Sequence, residues 1–257
     1  MPPIATAREP TAMPTDLPAI PPRVLELRQY TLRRGQRDTL IDLFERRFVE
    51  PQEACGLRVA GTFRDLDDPD RFVWLRDFPD MSARADGLAA FYGGPVWQQY
   101  RDAANATMVD SDDVHLLRPL GPQDGFGALP PRPSFDALLR EPAGLLTATL
   151  CTLREPPGAA LAAAFDELVR PLWDDASGRL LACFATEPSP NNFPRLPVHE
   201  GRPVIAWFSR FANAEAQARH ASRIADAGVL RAPAWRAMLL AEPQTIRLCP
   251  TARSALH

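Results

Sequence analysis

Apolar and polar residues alternate from Val24 to Leu32, and the run ends at Gly35. A two-residue alternation that is closed by a turn predicts a β-strand. The pattern then changes to a helical period, which Pro51 and Gly56 close. Its apolar stripe consists of Leu40, Ile41, Phe44 and Phe48. The chain therefore opens with a strand followed by an amphipathic helix.

Two more strands, a second helical region and a closing strand are predicted before residue 119. The strands run from Leu57 to Arg64 and from Phe72 to Phe78, joined by a turn at residues 67–70. The helical region begins near Met81, is interrupted at residues 93–95 and then resumes. A short strand from Asp113 to Arg118 completes the order β-α-β-β-α-β, which is the ferredoxin-like unit.

A similar order follows a segment rich in proline and glycine, residues 120–143. We expect this segment to be a linker, with a short helical piece near residues 135–139. Strands are predicted at residues 145–153, 180–186, 204–211 and 245–249, and helices near 161–172, 214–227 and 235–240. Three pairs of anchors align in the same order: Tyr30-Thr31-Leu32-Arg33 with Cys151-Thr152-Leu153-Arg154, Trp74 with Trp207, and Trp97 with Trp235. This internal repeat predicts two tandem modules.

The predicted modules suggest an assembly. Each four-stranded sheet has helices on one face, and its other face must also be buried. We therefore expect an α+β fold in which two tandem ferredoxin-like modules pack sheet to sheet, as in a dimeric α+β barrel made from one chain. The predicted divisions are a disordered proline-rich arm (1–22), a first module (23–119), the linker (120–143) and a second module (144–251). Homodimerisation is left open.

Composition excludes several classes of function. The 257 residues carry a net charge of −3, so no basic surface for nucleic acid is indicated. No apolar run is long enough to span a membrane, and no secretory signal is visible, so we expect a cytoplasmic protein. All 29 basic residues are arginine, which excludes a P-loop lysine and Schiff-base catalysis. The four cysteines form no C-x-x-C pair, so we expect free thiols without a metal site.

The stretch from Glu26 to Gly35 has the sequence ELRQYTLRRG. It resembles the opening of a NIPSNAP module, E-L-R-x-Y-x-L-(K/R)-x-G, a family within the dimeric α+β-barrel superfamily. Further residues that fit the family pattern are Gly61, Phe63, Trp74, Arg84, Trp97 and Tyr100. The second half lacks this opening, since Thr147, Thr149 and Cys151 replace Glu26, Arg28 and Tyr30. The resemblance implies a small-molecule-binding protein and leaves three functions open: a cofactor-independent enzyme of monooxygenase or isomerase type, a non-catalytic binding or adaptor protein, or a haem-binding enzyme.

Candidate ligand-binding residues come from the predicted strands and helices. Arg28 shares a strand face with Glu26, and it either holds an anionic substrate or forms a buried ion pair. Tyr30 either bonds a substrate oxygen as a catalytic residue or is a core tyrosine. Three tryptophans are candidates for an aromatic pocket wall, with core packing as the alternative: Trp74, Trp97 and Trp207.

Two histidines are candidate catalytic residues that could move a proton. His115, on the closing strand of the first module, is also the candidate haem ligand, with a structural role as the alternative. His199 follows a long loop, and long loops are often functional. Together with Asn192 and Arg195 it could form the wall or lid of a pocket. The sequence contains no metal-binding motif such as H-E-x-x-H and no dinucleotide motif, so we expect neither a metal site nor a required cofactor.

Overall fold

The computed structural model describes residues 23–134, 144–173 and 178–257. The predicted arm at residues 1–22 and the predicted helical piece near 135–139 lie outside the described residues. Within the described ranges the eight strands are β1 Val24–Leu32, β2 Arg58–Asp65, β3 Arg71–Phe78, β4 Met108–Pro119, β5 Leu145–Thr152, β6 Arg179–Thr186, β7 Val204–Phe211 and β8 Gln244–Pro250. We call β1–β4 with their helices the first module and β5–β8 with theirs the second module.

Helices follow the strands in both modules. They are α1 Arg37–Arg47, α2 Val49–Ala54, α3 Met81–Gly93, α4 Pro95–Thr107, α5 Ala159–Ala164, α6 Ala214–Ala227 and α7 Pro233–Met238. A π-helical turn and a 3-10 turn extend α5 to Trp173. The long helices α3 and α6 begin alike, because the side chains of Asp80 and Asn213 each accept a hydrogen bond from the third backbone N–H beyond them.

The strands form one closed antiparallel barrel in the order β1-β3-β2-β8-β5-β7-β6-β4. Each module contributes a sheet with its first strand inside, β4-β1-β3-β2 and β8-β5-β7-β6. The barrel closes where edge strands of the two modules pair, β2 with β8 and β4 with β6. The predicted α+β fold, with two ferredoxin-like units packed sheet to sheet, is confirmed.

The barrel interior is one apolar core to which both modules contribute. Leu25 and Leu27 of β1 meet Leu146 and Ala148 of β5 there. Phe126, which follows β4, stacks against Phe184 and Phe208, with ring centroids 5.2 Å away in each case. The other face of each sheet is covered by the helices of its own module. Any small-molecule site in a module must therefore lie between its sheet and its helices.

The four cysteines are free thiols, and two of them, Cys151 and Cys183, are buried. Burial raises the pKa of Cys151 to about 12, so this thiol stays protonated. Among the described residues, no helix is long and apolar enough to cross a membrane.

Candidate functional site

Strand register identifies matching positions in the two modules. Glu26 of β1 lies opposite Arg76 of β3, and Thr147 of β5 lies opposite Ser209 of β7. One step further along the same face, Arg28 lies opposite Trp74, and Thr149 lies opposite Trp207. The shared N-caps of α3 and α6 put Arg84 and Gln217 at the same helical position, four residues after the cap.

In the first module these positions hold a buried cluster of charges. The carboxylate of Glu26 accepts hydrogen bonds from Arg28 at 3.0 Å, from Arg76 at 2.6 Å and from Arg84 at 2.7 Å. All four side chains are at most 1% exposed. We call Glu26, Arg28, Arg76 and Arg84 the charged network. It combines three guanidinium groups with one carboxylate and so carries a net charge of +2.

The network holds Glu26 ionised. Burial alone would raise the pKa of this carboxyl, but Arg76, Arg28 and Arg84 outweigh burial and hold the pKa far below its ordinary value. Burial also raises the pKa of Tyr30, whose hydroxyl accepts a hydrogen bond from Arg28 Nε at 3.1 Å. Neutral oxygens take further bonds, since Gln52 accepts from Arg76 and Asn192 accepts from Arg84, while Arg84 Nη2 is buried without a hydrogen-bond partner among the described residues. Arg28 and Tyr30 therefore bond within the protein.

The predicted aromatic residues of the first module fill its interior. Trp74 packs against Phe44 at 4.7 Å and Tyr30 at 5.9 Å between ring centroids. Trp97 is half-buried and packs against Tyr92 at 4.8 Å. Side chains from α1, α3 and α4 thus meet the sheet directly, and the matched space of this module is occupied by protein.

The long loop between β6 and β7 lies on the first module. Asn192 Oδ1 accepts from Arg84 at 2.7 Å, and the loop's Phe193 packs against Tyr92. Arg195 is exposed. His199 Nε2 lies 2.8 Å from Asp113 Oδ1, and its ring centroid is 4.8 Å from that of His115. The structure therefore brings together His115 and His199, and it places Asn192 on the charged network.

His115 is the more buried of these two histidines. Burial first, and then the neighbouring His199, lower the pKa of His115 to about 4, although Asp113 opposes the shift. The imidazole is therefore neutral at physiological pH, and its lone pair can bind a ligand.

The second module contains a cavity of about 380 Å3 at the place that matches the charged network. Its floor is the outer face of β5 and β7, where Thr147 and Thr149 stand in place of Glu26 and Arg28. Helix α6 forms a wall with Gln217 at the position of Arg84. Short neutral side chains thus leave open a space that long charged side chains fill in the other module.

Aromatic and apolar groups make up most of the cavity wall. Trp173 and Trp207 meet edge to face with their centroids 6.3 Å apart, and Phe211 lies beside them. Trp207 is the one site residue predicted from the sequence that lines this cavity, as far as the described residues show. The exposed residues of the lining mark the mouth of the cavity: Ala221, Ala225, Arg231, Glu242 and Thr245.

Polar groups are few and mostly uncharged. Thr149 Oγ1 lies 3.0 Å from Thr245 Oγ1, so one hydroxyl of this pair is a donor to the other. His220 lines the cavity from α6, and its Nδ1 accepts a hydrogen bond from Arg223 at 3.1 Å. The buried indole N–H of Trp173 has no hydrogen-bond partner within the described part of the chain. An apolar cavity with a few convergent polar groups is the usual form of a small-molecule site.

A comparison with protein families assigns the first module. Residues 25–122 match the family model for NIPSNAP. The chain carries a NIPSNAP domain. This domain contains the charged network, whereas the cavity lies in the second module, beyond the matched residues.

Solved structures extend the likeness in fold over both modules. A candidate monooxygenase from Fusobacterium nucleatum matches with a TM-score of 0.56 at 10% identity, over 89% of this chain and 92% of that chain. A candidate monooxygenase from Lactobacillus acidophilus matches with a TM-score of 0.51 at 11% identity, over 89% of this chain and 94% of that chain. A NIPSNAP family protein from Agrobacterium tumefaciens covers 38% of this chain and 87% of its own, at 19% identity and a TM-score of 0.36. No curated protein matches this chain.

The residues that make the cavity differ from most of those predicted from the sequence. Thr147 and Thr149 were visible as replacements for the NIPSNAP residues Glu26 and Arg28, but loss of charge alone does not indicate a cavity. Gln217 and His220 carried no motif. The signal that finds Gln217 is the joint alignment of strand register and helix cap, which shows four matching positions that are charged in the NIPSNAP domain and neutral in the second module. His220 matches Gly87 and is not found in this way.

Proposed function

We propose that this protein binds a small, uncharged and largely apolar or aromatic molecule in the cavity of its second module, and acts on it as an enzyme of monooxygenase or isomerase type that needs no cofactor. One observation carries the proposal. Three of the four positions that hold the charged network in the first module border an accessible cavity of about 380 Å3 in the second, where they are Thr147, Thr149 and Gln217.

Size and lining define the class of ligand. A volume of about 380 Å3 lies in the usual range for small-molecule sites, about 300–1,000 Å3. The edge-to-face indoles of Trp173 and Trp207 favour a planar aromatic ring. The floor offers threonine hydroxyls, and the two charged residues of the described lining, Arg231 and Glu242, are exposed and opposite in sign. The cavity therefore favours a neutral hydroxyl or carbonyl group over a carboxylate.

Catalysis by this site would need a group that bonds the reacting oxygen of the substrate. His220 lines the cavity and is buried to 3% exposure among aromatic rings. Arg223 donates to its Nδ1, so the neutral ring carries its proton on Nε2, and we assign His220 the role of a hydrogen-bond donor to the substrate oxygen. In the oxygenase form of the proposal, a phenolic substrate binds with its oxygen accepting from His220 and gives its proton to solvent at the mouth of the cavity, and O2 then delivers one oxygen atom to the ring. The substrate itself supplies the electrons that reduce the other atom to water. The likeness in fold to two candidate monooxygenases is consistent with this chemistry.

A binding role without catalysis is the second candidate. The observation that favours it is the first module, where the same fold holds a filled interior and a charged network whose members bond to one another. In one module of this chain the matching space is therefore filled by the protein's own side chains.

The ligand class can be tested by isothermal titration calorimetry with 1-naphthol and 1-naphthoate. We expect saturable binding of the neutral naphthol and binding of the anion weaker by about tenfold or more, because a carboxylate loses its hydration in a largely apolar cavity. A tenfold difference in affinity corresponds to about 1.4 kcal/mol. No saturable binding of 1-naphthol, or tighter binding of 1-naphthoate, would refute the proposed ligand class.

Catalysis is tested separately with the same probe. Oxygenation of 1-naphthol by O2 gives 1,4-naphthoquinone and water, which balances without another reductant. Formation of the quinone in air by the wild-type protein, and its loss in His220→Gln, would support the enzyme. Binding without quinone formation would favour the non-catalytic role.

A further inference from the structure

A cluster of metal-ligating side chains lies outside the cavity, where the long loop of the second module meets the closing strand of the first. Asp113 and His115 are two residues apart on β4 and so project from the same face of the strand. His199 comes from the loop, and its backbone N–H donates to the carbonyl of Val114 at 2.8 Å. This backbone bond holds the loop alongside β4 and brings the three side chains together.

The donor atoms of these side chains are close enough to share an ion. One ligand atom from each of Asp113, His115 and His199 can be chosen so that all lie within 4.8 Å of one another. The shortest separation is 2.8 Å, from His199 Nε2 to Asp113 Oδ1. His115 is 8% exposed, while the side chains of His199 and Asp113 are 24% and 39% exposed. The cluster is thus anchored on a buried histidine and reached by solvent from the other two residues.

We propose that Asp113, His115 and His199 form a binding site for a divalent transition-metal ion of the zinc type. Two imidazoles and one carboxylate are a donor set that Zn2+ and its neighbours in the first transition row prefer. Three protein ligands leave a further position open for water or another small ligand. The site is separate from the cavity of the second module, because none of its residues belongs to that lining.

The geometry requires a small adjustment. Zinc bonds to nitrogen and carboxylate oxygen are about 2.0–2.2 Å long, so two donors on one ion can be at most about 4 Å apart. The widest separation must therefore shrink by about 0.8 Å or more from 4.8 Å. The partly exposed side chains of His199 and Asp113 can supply this movement by rotation. The guanidinium of Arg202 is near enough to disfavour a positive charge on His115, whereas the carboxylate of Asp113 favours a positive charge there.

The site can be tested by titrating metal-free, tag-free protein with Zn2+ at neutral pH. We expect one bound ion per chain, with binding weakened by about 100-fold or more in His199→Ala and in Asp113→Asn, since even loss of an outer-shell partner costs about 10- to 100-fold. Both residues are partly exposed, so these variants are expected to fold. His257→Ala is the matched control, because His257 lies outside the cluster and should leave Zn2+ affinity unchanged.

Spectroscopy of the Co2+-loaded protein separates this site from the thiols. Co2+ held by Asp113, His115 and His199 should show visible ligand-field bands without a thiolate charge-transfer band, and the bands should vanish in His199→Ala. A thiolate band would place the ion on a cysteine. That result, an unchanged affinity in both variants, or no stoichiometric binding would overturn the proposal.

Discussion

Replacing Glu26 with Gln is expected to lower the free energy of unfolding by about 3–5 kcal/mol, the usual cost of removing one partner from a buried ion pair. Glu26 is the one anion of the charged network, and its carboxylate bonds Arg28, Arg76 and Arg84. The neutral amide would leave three guanidinium groups buried without a counter-charge. Urea denaturation of the wild type and the variant measures the difference.

The same substitution should change how stability depends on pH. The folded-state pKa of Glu26 is depressed, so its stabilising contribution is fully present above the unfolded pKa of about 4.3 and is lost as pH falls below it. The stability gap between wild type and Glu26→Gln should therefore narrow with falling pH.

Glu215→Gln is the control for this prediction. Glu215 pairs with Arg219 on the exposed surface of α6, and exposed pairs contribute about 0–1 kcal/mol. A loss in Glu26→Gln as small as that of the control, or a gap that widens in acid, would contradict the account of the charged network.

Filling the floor of the cavity should abolish ligand binding. Thr149 is nearly buried at the centre of β5 and lies opposite Trp207. In Thr149→Phe an aromatic ring would occupy the space between the sheet and α6, so 1-naphthol affinity should fall by about 100-fold, or about 2.7 kcal/mol. Calorimetry under the conditions used for the wild type measures this loss.

Thr149→Val is the matched control, because it keeps the shape of the side chain and removes the hydroxyl. We expect its affinity to fall by about tenfold or less, the value of one hydrogen bond. Both variants must still unfold in a single urea transition, which shows that any loss of binding is local. Undiminished binding in folded Thr149→Phe would mean that the ligand lies elsewhere.

The local pattern of apolar and polar residues predicts the order of strands and helices, and it predicts the first and last residue of each element less accurately. Period-two and period-3.6 runs predicted the ferredoxin-like order because each element buries one face. Strand β4 begins at Met108, five residues before the predicted start at Asp113. Its first half carries Asp110, Ser111 and Asp112 at the barrel edge, and polar residues hide a strand from a test based on apolar alternation.

The candidate site was harder to predict because it depends on a difference between the two modules: matching positions carry charged side chains in the first module and small neutral ones in the second. Arg28 and Tyr30 resemble ligand-binding residues in sequence, yet in the fold Arg28 donates hydrogen bonds to both Tyr30 and Glu26. These bonds depend on which residues of β3 and β4 lie beside β1, and the sequence of one strand does not reveal its neighbouring strands. The cavity arises from small neutral side chains, which carry no motif.

The proposed metal site escaped the motif search for a related reason. Asp113 and His199 are separated by 86 positions in the chain. Motif searches detect ligands on one helix or turn, where spacing is short. A backbone bond between the loop and β4 brings these residues together, and that contact is a property of the folded chain.

The central claim is that the ligand site lies in the second module and not in the first. Anomalous diffraction from crystals soaked with 4-bromophenol tests it most directly, because the bromine marks the position of the bound ring. We predict a bromine peak between Thr149 and helix α6, beside Trp173 and Trp207. A peak beside the charged network of Glu26, or no peak in the second-module cavity, would contradict the account.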